Sequence, residues 1–400
     1  MAPIAAAMVM VLAALALGAC GDADRTQSNA ESGTWERLPA SPLSPRENAL
    51  GLWTGKETLV LGGSDADPCP PAAECVVPSE PPLRDGAAFD PTRRSWRPTA
   101  DAPVGFSGAE AVLLDGTAYI WTHGEASRPR APRAFLAYRT RDDRWEELPA
   151  PPREPYRSIV ATDTNVVAFS TSDEYGGGPD LVFDPAKATW SELPDDPLPR
   201  SFDRTMAWTG SELVLFGKRI VPQPGADRPS LALAAALGPE SGRWRRLPDA
   251  ETRDQYVTNG RWFEVDGRLI NPAPGTSDGG EVNNWGRAYP DGGVLDPDSD
   301  EWQELPEAPA GFDETSSGQY GSGILAGSDS HYFAPHGWIL DAAQWEWIEI
   351  PSLDDDDSVV SGRTITNAGE EMVVFGGARY GSNGLRGELL SEAWGWSPRG

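Results

Sequence analysis

Basic and aromatic side chains are gathered in the long segments between the apolar runs of this sequence. Guanidinium groups bind carboxylates and phosphates in a bidentate manner, and aromatic rings anchor partners at binding surfaces. These residue types therefore suggest recognition of an anionic glycan or an acidic peptide. The candidate ligand-binding residues are His123, Arg128, Arg130, Lys218, Arg219, Trp285, Arg287, Arg379 and Tyr380. The alternative is that the arginines only keep exposed loops soluble, and the sequence leaves both interpretations open.

Catalytic chemistry has no comparable signal. General acid–base catalysis needs a positioned pair of titratable groups, but the chain has 61 acidic residues and no spacing singles out a pair. The aspartates at 354–357 would suit either a weak Ca²⁺ site or a hydrated acidic loop. We therefore predict no catalytic residue, no metal site and no cofactor, with a carbohydrate-active enzyme as the alternative function.

The cysteines point to an oxidising compartment. Cys69 and Cys75 lie six positions apart in a proline-rich stretch, a spacing that favours a local disulfide in an exported chain. A metal site is not favoured, because the three histidines of the chain are distant in sequence from these cysteines.

The N-terminal region predicts export and membrane attachment. Residues 1–19 carry no charged side chain and read as a signal peptide. The end of this run, Leu17-Gly18-Ala19-Cys20, resembles the lipobox of bacterial lipoproteins, which implies lipidation of Cys20. A plain cleaved signal and an uncleaved anchor are the alternatives. Residues 20–32 are too polar to pack and predict a flexible tether, so we expect a lipid-anchored protein on the extracytoplasmic face of the cell membrane.

Overall charge excludes one class of partner. The net charge of −28 argues against nucleic-acid binding, which needs clustered Lys and Arg to neutralise phosphates. It suits a self-repelling, water-exposed surface. We expect a monomer that meets the membrane only through its lipid, with an unknown protein or glycan as partner.

A repeated unit must position these residues. In six copies an apolar anchor is followed seven residues later by a tryptophan, and in most of them Leu-Pro follows the tryptophan. The pairs are Phe89 and Trp96, Tyr138 and Trp145, Phe183 and Trp190, Leu237 and Trp244, Leu295 and Trp302, and Leu340 and Trp347. Periods of this length with strand-like runs and Gly-containing turns predict the blades of a propeller rather than a helical solenoid.

The unit resembles the kelch repeat, whose second strand ends in Gly-Gly and whose third and fourth strands carry Tyr or Phe and then Trp. Leu61-Gly62-Gly63 and Phe375-Gly376-Gly377 keep the diglycine, and Phe216-Gly217 keeps half of it. The resemblance covers roughly residues 33–400. It implies an all-β propeller of four-stranded antiparallel blades, like the central domain of galactose oxidase, that serves as a binding or scaffolding module.

Related propellers also imply a structural role for arginines that precede the first strand of a blade. Such side chains bridge neighbouring blades by bonding to backbone carbonyl groups. The candidates are Arg46, Arg157, Arg200, Arg204 and Arg363.

A split seventh copy predicts how the ring closes. Trp35-Glu-Arg-Leu38-Pro39 lacks an anchor, and Trp396-Ser397-Pro398 lacks a following tryptophan. Residues 34–39 are therefore expected to pair with a strand near residue 396 and to leave no open sheet edge. This arithmetic predicts seven blades, with six as the alternative.

Overall fold

The computed structural model describes residues 33–398 except 71–72, 74, 76–79, 123–132, 153–157, 175, 177, 221–231, 240, 251–261, 273–276, 279–286, 289–292, 307–322, 326–336, 355–357 and 382–386. Every regular element in this part of the chain is a β-strand. The same residues contain no helix long and apolar enough to cross a membrane. The predicted boundaries at residues 19 and 32 stay predictions.

The strands form successive sheets, which we number as blades in chain order. The chain begins with β1 (Thr34–Arg37). Blade one contains β2 (Leu50–Trp53), β3 (Thr58–Leu61), β4 (Gly86–Asp90) and β5 (Ser95–Pro98). Blade two contains β6 (Ala109–Leu114), β7 (Thr117–Thr122), β8 (Ala134–Arg139) and β9 (Arg144–Leu148). Blade three contains β10 (Ser158–Ala161), β11 (Val166–Phe169), β12 (Leu181–Asp184) and β13 (Thr189–Glu192). Blade four contains β14 (Ser201–Trp208), β15 (Leu213–Arg219), β16 (Ala232–Gly238) and β17 (Arg243–Arg246).

The second half continues the pattern with small additions. Blade five contains β18 (Phe263–Val265), β19 (Arg268–Asn271), β22 (Gly293–Asp296) and β23 (Glu301–Gln303), and β20 (Ser277–Asp278) pairs with β21 (Arg287–Ala288) beside it. Blade six contains β24 (Gly323–Leu325), β25 (Gly337–Asp341) and β26 (Glu346–Ile350). Blade seven contains β28 (Thr364–Ala368), β29 (Glu371–Phe375) and β32 (Ala393–Ser397), and a separate sheet joins β27 (Val359–Ser361), β30 (Ala378–Tyr380) and β31 (Gly387–Leu389).

The all-β propeller prediction is confirmed, because six of these sheets are four-stranded and antiparallel. Blade six differs: its described residues supply three strands, and β24 runs parallel to β25. The count of seven blades therefore stays a prediction.

Each anchor lies directly opposite its tryptophan, which explains the fixed spacing of seven. Phe89 pairs with Trp96, and Tyr138 pairs with Trp145, across the third and fourth strands. The turn between them is shaped by the aspartate after the anchor. Asp90 Oδ1 accepts the backbone N–H of Arg93 at 2.9 Å, which is the local turn chemistry expected of Asp.

The core is divided into clusters, each shared by two neighbouring sheets. Each cluster contains buried residues from both of the sheets that it joins. One residue from each sheet, taken in chain order from blades one and two to blades seven and one, gives Leu61 and Ile120, Tyr119 and Phe183, Phe169 and Leu215, Phe216 and Leu269, Ile270 and Leu340, Ile339 and Val374, and Phe375 and Val60. The last of these clusters packs Phe375 against Val60, so the final sheet of the described chain shares buried apolar surface with the first.

The predicted closure by the N-terminal strand is confirmed. β1 pairs antiparallel with β32, placing Thr34 opposite Ser397 and Arg37 opposite Trp394. The N–H of Leu38 extends this pairing to the carbonyl of Ala393 at 2.9 Å. Blade seven thus takes its fourth strand from the start of the described chain and has the order β28-β29-β32-β1.

Candidate binding face

The two sides of the ring differ in what they carry. We call the side where second strands end and first strands begin the loop face, and the opposite side, with the short hairpin turns, the turn face. On the loop face neighbouring blades exchange backbone hydrogen bonds, including Gly63 N–H to Phe106 O and Gly377 N–H to Arg46 O, both 2.8 Å. Backbone hydrogen bonds therefore connect neighbouring blades on the loop face, so its segments are not independent of one another.

Two of the candidate ligand-binding residues lie at the loop-face end of β15. Lys218 is 2% exposed, its Nζ lies 3.5 Å from Asp203 Oδ2, and it stands over the ring of Phe202. Arg219 is partly exposed and pairs with Asp249. Burial and an existing acidic neighbour make Lys218 a structural cation, whereas Arg219 keeps a surface that a ligand can reach.

Two more candidates lie on β30, in the small sheet at blade seven. Tyr380 is buried, and its hydroxyl donates to the carbonyl of Cys69 at 2.7 Å. Burial raises the pKa of this tyrosine. Arg379 is half-buried and near Arg363, and the like charge contributes to lowering the pKa of Arg363, after the larger effect of burial.

The predicted disulfide is confirmed, since Cys69 and Cys75 are bonded with their Cα atoms 5.9 Å apart. The bond from Tyr380 ties this disulfide-bonded pair in blade one to blade seven. The loop face is thus tied across the junction between blades seven and one, beside the blade that β1 completes.

The remaining candidates are not all described. His123, Arg128, Arg130 and Trp285 lie outside the described residues. Arg287 lies on β21 in register with Asp278. The structure brings the Lys218 and Arg379 segments to the same face, at the ends of the second strands of blades four and seven. The ligand-binding role of the whole set stays a prediction.

Buried arginines are the main organising charges of the loop face. Arg46 is fully buried, donates through Nη1 and Nη2 to both oxygens of Asp85 at 2.7 and 2.9 Å, and reaches the carbonyl of Gly62 at 3.0 Å. The hydrogen bond from Arg46 lowers the pKa of Asp85. Arg157 lies outside the described residues, and Arg200 is exposed.

Arg204 bridges blade four to blade three. Its Nη2 lies 3.0 Å from Asp180 and 3.2 Å from Asp196, and its Nε donates to the carbonyl of Ser170. Burial raises the pKa of Asp180 in spite of the arginine. Arg363 similarly donates to Asp354 at 2.6 Å. Arg204 therefore has the role that related propellers imply, because it bridges two blades and donates to a backbone carbonyl.

Sequence reasoning missed the acidic partners of these arginines. Asp85 precedes the anchor Phe89 by four residues, and Asp180 precedes the anchor Phe183 by three. An acidic residue three or four positions before an anchor could have indicated a partner for a buried arginine. Glu110 was also missed: its Oε2 accepts the Ser158 hydroxyl at 2.6 Å and the Ile159 N–H at 3.0 Å, joining blades two and three.

On this face, hydrogen bonds engage the carboxylates of Asp85, Glu110, Asp180 and Asp196. Among the described residues no group of three His, Cys, Asp or Glu side chains could hold a metal ion. Of the aspartates at 354–357, only Asp354 is described, and it bonds to Arg363, so the Ca²⁺ site and the hydrated loop both stay predictions. What the arrangement offers chemically is a rigid surface of paired charges and partly exposed arginines.

Comparison with known proteins gives a partial match. No family model matches the chain. An F-box/kelch-repeat protein of Arabidopsis thaliana is 26% identical over 146 residues, which cover 34% of this chain and 36% of the plant protein. The chain therefore matches little more than a third of that relative's length. The kelch match and the four-stranded antiparallel sheets together support a kelch-like β-propeller.

Proposed function

We propose that this protein is a lipid-anchored, extracytoplasmic β-propeller that binds a protein or glycan partner on its loop face. The kelch-repeat similarity supports a protein-interaction module. Cys20, after an uncharged apolar run, supports the anchor. The observation that carries the proposal is the loop face itself. Its connecting segments differ in length, and the strands that they join are stabilised by the ion pairs of Arg46 and Arg204 with aspartates.

The proposed ligand is anionic. Arg219 retains exposed surface on the loop face, and the sequence places Arg128 and Arg130 in another loop of the same kind. A local excess of guanidinium groups within an acidic protein attracts anions, and that attraction weakens as salt screens it. Acidic peptides and uronic-acid or sulfated glycans are the classes to test.

Partner capture on the intact protein tests the binding role. Cross-linking in cells followed by affinity purification, and a glycan array with the purified chain, would be run with the parent and with an Arg128→Ser, Arg130→Ser, Arg219→Ser variant. The matched control removes three exposed turn-face cations through Arg93→Ser, Lys187→Ser and Arg243→Ser. We expect the loop-face variant alone to lose its partner. Equal binding by the parent and both variants would overturn the proposal.

Fractionation tests the anchor separately. Cys20→Ala should move the protein from the membrane to the soluble extracytoplasmic fraction, because lipoprotein acylation supplies the two chains that stable attachment needs. Membrane retention of a processed Cys20→Ala protein would show that the lipid does not hold it.

A further inference from the structure

The direction of β1 determines which side of the ring the N-terminal segment meets. β1 begins at Thr34, opposite Ser397, and ends at Arg37, opposite Trp394. The chain then continues to Ser44 and Arg46, which lie on the loop face beside Asp85. Since a fourth strand ends toward the loop face, its first residue lies at the turn face. Residues preceding Thr34 therefore reach the ring at the turn-face rim of blade seven.

The predicted tether between Cys20 and this rim is short in sequence. Cys20 precedes Thr34 by 14 residues, and a flexible tether of that length, as the composition predicts, would have a root-mean-square span of roughly 20 Å. Four residues of a strand, such as β1, rise roughly 13 Å. Turning the loop face toward the bilayer would make the predicted tether run roughly 13 Å back along the outer edge of the ring, which uses much of its span and restricts its conformational freedom.

We propose that the anchored propeller holds its turn face toward the membrane and presents its loop face outward, to a macromolecular partner that approaches from the aqueous side. This inference rests on the proposed lipid anchor. It predicts that the partner is not a lipid headgroup of the membrane that carries the protein.

Charge pairing on the turn face agrees with a tether rather than a lipid-binding surface. Arg93 pairs with Asp90 at 2.7 Å, and Lys187 pairs with Asp184 at 2.5 Å. Arg94 contacts both Glu36 and Glu371 at 2.8 Å. The neighbouring carboxylates reduce the net positive charge that this rim presents to anionic headgroups, which agrees with attachment through acyl chains.

Energy transfer to labelled lipid tests the orientation with the full acylated chain in vesicles. A donor dye is placed on the turn face through Lys56→Cys or Thr164→Cys, and on the loop face through Val359→Cys or Ser172→Cys, all exposed positions. The Thr164 and Ser172 labels flank β11, which spans roughly 13 Å. The disulfide occupies Cys69 and Cys75, so each variant carries a single reactive thiol.

We expect higher transfer from both turn-face labels than from both loop-face labels. Equal transfer, or higher transfer from the loop-face labels, would overturn the orientation while leaving the anchor intact. If instead the parent protein fails to float with the vesicles, the anchor itself fails and the orientation fails with it. Non-acylated Cys20→Ser protein serves as the control and should show no transfer from any label.

Discussion

The indole Nε1 of Trp35 donates a hydrogen bond to the carbonyl oxygen of Pro351 at 2.8 Å, joining residues 316 positions apart. The same bond recurs around the ring, from the tryptophan of each blade to the carbonyl where the preceding blade's fourth strand ends. The other pairs are Trp96 and Pro39, Trp145 and Ala100, Trp190 and Pro149, Trp244 and Pro194, Trp302 and Pro248, and Trp347 and Pro306. The repeated Trp and Leu-Pro are thus the two halves of one inter-blade contact.

Replacing Trp35 with Phe should destabilise the ring at its seam, which is the pairing of β1 with β32 in blade seven. The change keeps most of the packed ring and removes the indole donor, so the free energy of unfolding should fall by about 1 kcal/mol. Denaturant unfolding measures it. Trp394→Phe on the facing strand is the control, since the described residues give its indole no hydrogen bond, and an equal loss there would show that ring size alone matters.

Removing β1 should open the ring. Deletion of residues 34–39 would expose the edge of β32, and unpaired edges promote aggregation. We expect a large fall in melting temperature with soluble aggregates in size-exclusion chromatography. Deletion of residues 21–31 removes only the predicted tether and should melt like the parent. The closure would be dispensable if both deletions behaved alike.

Arg46 and Asp85 should respond unequally to truncation. Asp85→Ala leaves a fully buried guanidinium without its carboxylate, which should cost less than the roughly 3–5 kcal/mol of a fully buried pair because Asp85 is partly exposed. Arg46→Met removes the buried charge and leaves an aspartate whose side chain is 44% exposed and can be hydrated. Chemical denaturation of both variants should therefore find Asp85→Ala the less stable. The reverse order would mean that the Gly62 carbonyl, and not the charge, dominates.

Stability attributable to Asp85 should disappear in acid. The hydrogen bond from Arg46 lowers the pKa of Asp85 below its ordinary 3.8. A carboxyl with a depressed folded-state pKa stabilises the protein above its unfolded pKa, and loses that contribution as pH falls through the folded value. The difference in melting temperature between parent and Asp85→Asn should be constant near neutral pH and shrink below about 3.8. A difference that is independent of pH in acid would contradict the assignment.

The disulfide should contribute modestly to global stability. Its loop is short, so the chain-entropy model gives about 2 kcal/mol at most. Cys69→Ser with Cys75→Ser should therefore fold and melt slightly lower, and the parent produced in an oxidising compartment should resist alkylation until reduced, as read by intact mass. Alkylation of two thiols without reductant would contradict the bond. Tyr380→Phe separates the loss of the bridge from the loss of the contact to Cys69.

The fold was largely predictable because the repeat encodes it locally. Phe89 and Trp96 face each other across two strands, so their spacing is a direct record of one hairpin. The split copy likewise predicts the pairing of Trp35 with Trp396. Blade six is the exception, since no spacing in the sequence predicts a parallel strand beside β25.

The site was less predictable because it depends on contacts between strands and between blades. Lys218 has the composition of a ligand-binding residue, and only the packing of Asp203 and Phe202 around it reveals a buried structural cation. The chain gives the identity of Arg204 but not the three aspartates of neighbouring segments that surround it. Such partners are set by the register of whole sheets, which no local spacing carries.

Because Thr34 lies opposite Ser397, the point in the ring at which the chain begins can be moved without changing how the blades follow one another. A circular permutant that links residue 398 to residue 33 and opens at the exposed Gly210 turn would move the seam from blade seven to blade four. Blade seven would become covalently continuous, and blade four would be completed by strands from both ends of the new chain. The seam can thus lie in any blade that has an exposed turn at which the chain can be opened.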